Sequence, residues 1–230
     1  MKALILTGGS CAADVRVPEY DICIAADCGI ELADRLGVTP DLTVGDFDSA
    51  DTANHAPKGE IIRHPSHKNQ TDTMLACDLA VERGCDVIYI LGGLGGREDH
   101  SISNIFYIES LAERGIHAVM CDGTNEIRVI CGGESVEIPF GEYKYFSLFA
   151  LDRCVVTAEC CEYPLDRSTL VRNDPYAVSN EPHPDAARVI CHSGSLLLMR
   201  SERLRWQCAP RVNILLMQAY LPSTTYEVAK

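Results

Sequence analysis

Four runs, Lys2-Ala-Leu-Ile-Leu6, Ile22-Cys-Ile-Ala-Ala26, Val87-Ile-Tyr-Ile-Leu91 and His117-Ala-Val-Met-Cys121, are apolar almost throughout, and stretches with helical period lie between them. A strand exposed on one face alternates apolar and polar residues; a strand covered on both faces does not. The first half of the chain therefore reads as an α/β unit built on a mostly parallel sheet, with helices on both faces. Residues 29–36, 71–83 and 100–114 have the helical pattern, and Glu60-Ile-Ile-Arg-His64 is one more short strand. In such sheets ligands bind at the carboxyl edge, where strands end and helices begin.

The character changes after Asp122-Gly123. The runs within 135–139, 143–151, 153–159, 168–173, 188–193, 195–201 and 213–220 are short, rich in Val, Leu and Tyr, and punctuated by Gly, Pro, Asn and Asp. That pattern predicts a smaller all-β sandwich or barrel. The expected division is an α/β domain over residues 1–124 and a β-sandwich domain over 125–230.

Charge narrows the partners. With 20 Lys and Arg against 33 Asp and Glu, the net charge of −13 argues against a surface that binds nucleic acid. An anionic substrate then needs local help from a metal ion or a small basic cluster. The apolar start is too short for a signal peptide and no run approaches the roughly 20 residues of a membrane span, so a soluble cytoplasmic protein is expected. The 12 cysteines never form a Cys-x-x-Cys pair and mostly sit in apolar runs, where free cysteine behaves as a small hydrophobe.

Three polar clusters interrupt the α/β half. In Asp41-Leu-Thr-Val-Gly45-Asp46-Phe47-Asp48-Ser49, an extended backbone points Asp46 and Asp48 the same way. Two hard oxygen ligands on one face suit Mg²⁺, although Asp-x-Asp is also common turn chemistry. In Lys68-Asn69-Gln70-Thr71-Asp72, Asn69 or Thr71 can cap the following helix and Asp72 suits its positive end. If Asp72 faces Asp46 and Asp48, the three can share a metal, with Lys68 as a point charge for phosphate.

The third cluster, Gly92-Gly93-Leu94-Gly95-Gly96-Arg97-Glu98-Asp99-His100, lies between an apolar strand and a helix. Four glycines let the backbone approach a ligand, and a helix N-terminus offers free N–H groups to an anion. It is neither a Walker A loop nor Gly-x-Gly-x-x-Gly, so Arg97 stands where a Walker lysine would supply charge. At least two of His100, Ser101 and Asn104 share a helix face looking towards the loop. Thr7-Gly8-Gly9-Ser10 also follows a strand and could approach a nucleotide, although a plain turn is the commoner case.

Taken in order, these pieces resemble the thiamine pyrophosphokinase family. Ala26-Asp27-Cys28-Gly29, Pro40-Asp41-Leu42, Gly45-Asp46-Phe47-Asp48-Ser49, Lys68 to Asp72 and Gly92 to His100 with Asn104 carry the likeness. Tyr163-Pro164-Leu165 and Val178-Ser179-Asn180-Glu181 are similar to its thiamine-binding β domain. The resemblance implies transfer of the β,γ-diphosphate of ATP to the hydroxyl of thiamine with release of AMP, Mg²⁺ as cofactor, and a homodimer with thiamine between subunits. It implies that Asp46, Asp48 and Asp72 hold metal and phosphate, that Lys68 and Arg97 neutralise the transferring group, and that Asp99 completes the acidic centre. Gly95, Gly96, His100 and Asn104 would line the nucleotide, and Asp27, Ser179 and Asn180 would contact the substrate. The family usually has Asp-Gly-Gly where this chain has Asp27-Cys28-Gly29. A non-catalytic nucleotide or thiamine diphosphate sensor is the alternative on the same scaffold, and a different diphosphokinase or nucleotide hydrolase is a third reading.

Overall fold

A computed structural model of the chain describes residues 1–45, 55–63 and 70–202. Asp46, Asp48, Lys68 and the run at 213–220 lie outside the described residues. The first half is β1 (Lys2–Leu6), β2 (Ile22–Ala26), α1 (Gly29–Leu36), β3 (Leu42–Gly45), β4 (Glu60–Arg63), α2 (Asp72–Glu82), β5 (Val87–Leu91), α3 (Glu98–Glu113) and β6 (His117–Cys121). Seven strands follow: β7 (Asn125–Cys131), β8 (Ser135–Ile138), β9 (Tyr145–Ala150), β10 (Arg153–Glu159), β11 (Leu165–Val171), β12 (Ala187–Ser193) and β13 (Ser195–Ser201).

Alternate residues of β1 go to opposite faces, and both faces are covered. Leu4 and Leu6 pack with Cys23, Leu91 and, from α1, Leu32 and Ala33. Ala3 and Ile5 pack with Ile24, Ile88 and Ile90 under Ala76, Cys77 and Ala80 of α2 and Ile108 and Leu111 of α3. Each fully buried Leu or Ile stabilises the fold by about 1.5–3 kcal/mol relative to exposure, which is why these runs do not alternate. The sheet order is β4-β3-β2-β1-β5-β6-β7-β13-β9. The pairings from β4 through β6 are parallel. Those of β7, β13 and β9 are antiparallel.

The second sheet, ordered β11-β10-β12-β8, is antiparallel. It packs on the far end of the large sheet. Phe146, Leu148, Leu196 and Leu198 meet Val156, Ala158, Val189 and Cys191 to form the core of a sandwich. The two halves of the chain thus share one sheet. Residue 124 falls in the turn from β6 to β7, where the Asp122 Oδ1 accepts the N–H groups of Thr124 at 2.7 Å and Asn125 at 2.6 Å. That Asx turn reverses the chain tightly enough for β7 to pair with β6, extending the parallel sheet instead of starting a detached one.

Among the described residues no disulfide forms, and no three His, Cys, Asp or Glu side chains gather as a metal group. No helix among them is long and apolar enough to cross a membrane.

Candidate active site

The strand order turns at β1. Its neighbours are β2 on one side and β5 on the other, so the loops leaving β1 and β5 open a crevice at the carboxyl edge. These loops are laced together. Thr7 N–H donates to the Leu91 carbonyl at 2.9 Å, Gly9 N–H to Gly92 at 2.8 Å and Ser10 N–H to Leu94 at 2.8 Å. The buried Thr7 hydroxyl donates to the Gly92 carbonyl as well. Only glycine fits this approach: a Cβ at Gly9 would lie 2.1 Å from the Gly92 oxygen. Gly92 itself has φ +77°.

A cavity of about 390 Å³ opens here. Its walls bring together Asp27, Asp72, Gly95, Gly96, Arg97, His100 and Asn104, seven of the residues singled out from the sequence. Thr71 accepts the Met74 N–H at 3.2 Å and so caps α2, which places Asp72 at the first helical residue, on the positive end of the dipole. Asp27 follows β2 with φ 46°, and its N–H donates to the Val44 carbonyl at 2.8 Å. Gly45 ends β3 against Asp27, since a Cβ on that glycine would sit 3.2 Å from the Asp27 Cα. Asp46 is the next residue of the chain and, with Asp48 and Lys68, lies outside the described residues.

Arg97 precedes α3 and Asp99 lies in its first turn. The Arg97 Nη2 donates to Asp99 Oδ2 at 2.6 Å and its Nε to Oδ1 at 3.2 Å. The guanidinium hydrogen bond holds the Asp99 carboxyl below the usual carboxylate range, and the carboxylate raises Arg97 in turn. Asp99 does not line the cavity. Asn104 is buried, and its Nδ2 donates to the Gly93 carbonyl at 2.9 Å, so it supports the glycine loop from beneath.

Ser179 and Asn180 lie elsewhere. Asn180 exchanges backbone hydrogen bonds with Phe146 on β9, both at 2.8 Å, and neither residue lines the cavity. The Asn180 amide is fully engaged: Oδ1 accepts from Tyr163 N–H at 3.0 Å and Glu181 N–H at 2.9 Å, while Nδ2 donates to the Tyr163 carbonyl at 2.8 Å. Ser179 has φ 57°, and its N–H donates to the Ser147 hydroxyl at 3.0 Å.

Thr7, Gly8, Gly9 and Cys28 line the cavity; for the first three the sequence offered a nucleotide contact as the less common alternative to a plain turn. The available signal was the glycine pair directly after an apolar strand, the same grammar as Gly92-Gly93. Cys28 Sγ donates to Asp27 Oδ2 at 3.4 Å. Burial, with the Asp27 charge beside it, pushes this thiol up to about 12.

Fold and crevice define a doubly wound α/β protein with an acidic, glycine-lined cleft at the switch point of its sheet. Residues 16–120 match the profile described as "Thiamin pyrophosphokinase, catalytic domain". The thiamine pyrophosphokinase of Bacillus subtilis (strain 168) is 30% identical over 192 residues, spanning 80% of this chain and 88% of that protein. The crystal structure of a thiamine pyrophosphokinase from Bacillus subtilis superposes with a TM-score of 0.77 at 27% identity, covering 89% of this chain and all (100%) of the other. That of a thiamin pyrophosphokinase family protein from Enterococcus faecalis gives 0.76 at 26% identity, covering 89% and 100%. The chain belongs to the thiamine pyrophosphokinase family.

Proposed function

We propose that this chain is a thiamine diphosphokinase: it transfers the β,γ-diphosphate of ATP to the hydroxyl of thiamine and releases AMP. The observation that supports this reading is one cavity lined by two carboxylates, a guanidinium and the close-approach glycines at the sheet's switch point. In the reaction the hydroxyl oxygen bonds to the β-phosphorus, the bond from the β-phosphorus to the oxygen bridging it to the α-phosphorus breaks, and that oxygen leaves on AMP. The hydroxyl proton passes to an aspartate; of Asp46, Asp72 and Asp99, Asp72 is the one that lines the cavity among the described residues. Such transfers depend on positioning and charge neutralisation more than on covalent catalysis, and this site is built for both.

Gly95 and Gly96 would admit the phosphates close to the backbone, beside His100 and above the Asn104 support. Arg97, with Lys68, would neutralise the transferring group, and Asp99 aims the Arg97 fork. The family implies Mg²⁺, and a carboxylate at the cavity wall fits that hard cation. Asp72 would hold it together with Asp46 and Asp48, the first of which follows directly on Gly45. When bound, Mg²⁺ supplies charge neutralisation for the polyphosphate. The acidic centre, including Asp27, also suits the cationic thiazolium of thiamine.

Ser179 and Asn180 support a homodimer in this reading. They lie beyond β9, five strand spacings from β5, or roughly 24 Å at about 4.8 Å per strand, more than one thiamine spans. Thiamine contacts from Ser179 would therefore serve the cavity of a partner subunit, with the engaged Asn180 amide shaping that segment through its own hydrogen bonds. In this reading residues 1–124 hold ATP and metal, with Asp27 towards the thiamine cation, residues 125–230 supply the other thiamine contacts, and the protein works in the cytoplasm.

The test is to incubate the purified protein with ATP, Mg²⁺ and thiamine. AMP and thiamine diphosphate are expected in equal amounts; ADP in place of AMP overturns diphosphate transfer. Full activity in Asp72→Asn would remove Asp72 from the metal set.

A further inference from the structure

The first turn of α3 is exposed at Glu98, Asp99 and His100, yet Ser101, one residue further, is only 6% exposed. Its Oγ accepts the Gly95 N–H at 3.0 Å and donates to the Arg97 carbonyl at 3.4 Å. One hydroxyl thus bridges both ends of the turn Gly95-Gly96-Arg97. That turn needs a brace, because Gly95 and Gly96 both sit in the left-handed region, at φ +72° and +74°. Two successive glycines there have the widest choice of other conformations. Arg97, the N-cap of α3, makes no side-chain capping bond. The hydroxyl reaching back from within the helix ties the Gly95 N–H to the start of α3 and so orders the turn without capping a helix N–H.

Two other side chains hold the loop further upstream, Asn104 at the Gly93 carbonyl and Thr7 at the Gly92 carbonyl. Ser101 differs from both because its two bonds span the residue that bears the guanidinium. We infer that Ser101 is a positioning residue: it touches no substrate, but sets the Gly95–Arg97 turn so that Arg97 and the glycine backbone meet the polyphosphate of a nucleotide in the right geometry. The inference rests on the proposed function, since it concerns how that site grips phosphate.

The test uses the full chain with Ser101→Ala, Ser101→Cys and Ser101→Thr. Calorimetry measures binding of α,β-methylene-ATP, which keeps the triphosphate but cannot be cleaved at the α,β link, and of adenosine, which has no phosphate. Losing the hydroxyl, and with it both bonds that order the turn, is expected to weaken analogue binding by about tenfold in Ser101→Ala. Adenosine affinity should stay within about twofold, because the loss concerns phosphate positioning alone. Ser101→Thr, which retains the hydroxyl, should restore analogue binding. Ser101→Cys, a weaker acceptor of similar size, should fall between the two and serves if the alanine variant does not fold. In turnover, KM for ATP or kcat should change while KM for thiamine holds. Unchanged analogue binding in a cooperatively melting Ser101→Ala or Ser101→Cys, or equal losses for analogue and adenosine, overturns the inference. Wild-type protein that binds the analogue but makes no thiamine diphosphate overturns the proposed function and leaves the comparison of variants intact.

Discussion

Arg97 and Asp99 are locked to each other at the start of α3, the guanidinium meeting the carboxylate at 2.6 Å and 3.2 Å while Asp99 also accepts the His100 N–H at 3.0 Å. Both side chains are exposed, so the pair does more to aim Arg97 than to hold the fold. Because the folded carboxyl is depressed, the pair is intact above the ordinary aspartate range and is lost as pH falls through the folded value. In Arg97→Gln, the Asp99 carboxyl should titrate higher than in the wild type, observable by carbon NMR. An unchanged titration would mean that Arg97 is not its cause. The same variant should lose on the order of 100-fold in kcat, the usual effect of removing one charge-stabilising donor.

Gly8 and Cys28 should be energetically coupled. A Cβ on Gly8 would lie 2.7 Å from the Cys28 Cβ, closer than such atoms approach. Gly8→Ala is expected to destabilise the protein by about 1–3 kcal/mol through overpacking. Combining it with Cys28→Gly removes the clashing atom, so urea denaturation should show the double variant recovering most of that loss. Additive losses would place the strain elsewhere.

Cys28 lines the cavity but should react slowly. With its thiol pushed up to about 12, roughly one molecule in ten thousand is thiolate at pH 8. Iodoacetamide at pH 8, followed by peptide mass spectrometry, is expected to label the exposed Cys160 well before Cys28. Equal rates would contradict the environment described for Cys28.

Arg200 and Glu126 form a nearly buried ion pair across β13 and β7, with Nε to Oε1 at 3.1 Å and Nη2 to Oε2 at 2.5 Å. Burial pushes the Glu126 carboxyl up, but the charges of Arg128 and Arg200 outweigh it, and the net position is below the usual glutamate value. Arg200→Met leaves the buried carboxylate with Arg128 as its remaining cation and should cost about 1–3 kcal/mol, measured by urea denaturation at pH 7. The pair's contribution exists above the unfolded glutamate pKa of about 4.3 and disappears as pH falls through the folded value. Wild type and variant should therefore converge in stability on acidification.

Much of the α/β half is legible locally. The expected helix over 29–36 is α1 itself, and the pattern over 71–83 is α2 with its two caps. The start of α3 is at Glu98 instead of His100, because Glu98 and Asp99 favour the positive end of a helix dipole. β7 escapes a reading of apolar runs, since Ile127 and Val129 alternate with Glu126 and Arg128. Those polar positions make sense only beside Arg200, which comes from a strand some seventy residues later.

The sequence by itself determined most strands and helices of the α/β half and the close-approach glycines at Gly92 to Gly96, because side-chain period and glycine content act over a few neighbouring residues. Only the tertiary structure decided which loops share a cleft. Thr7 and Gly92 are brought together by parallel pairing of β1 with β5, which forms because both strands can then bury both faces. An isolated antiparallel bridge to Phe146 places Asn180 beyond β9, away from the cavity, through hydrogen bonds that no local pattern announces.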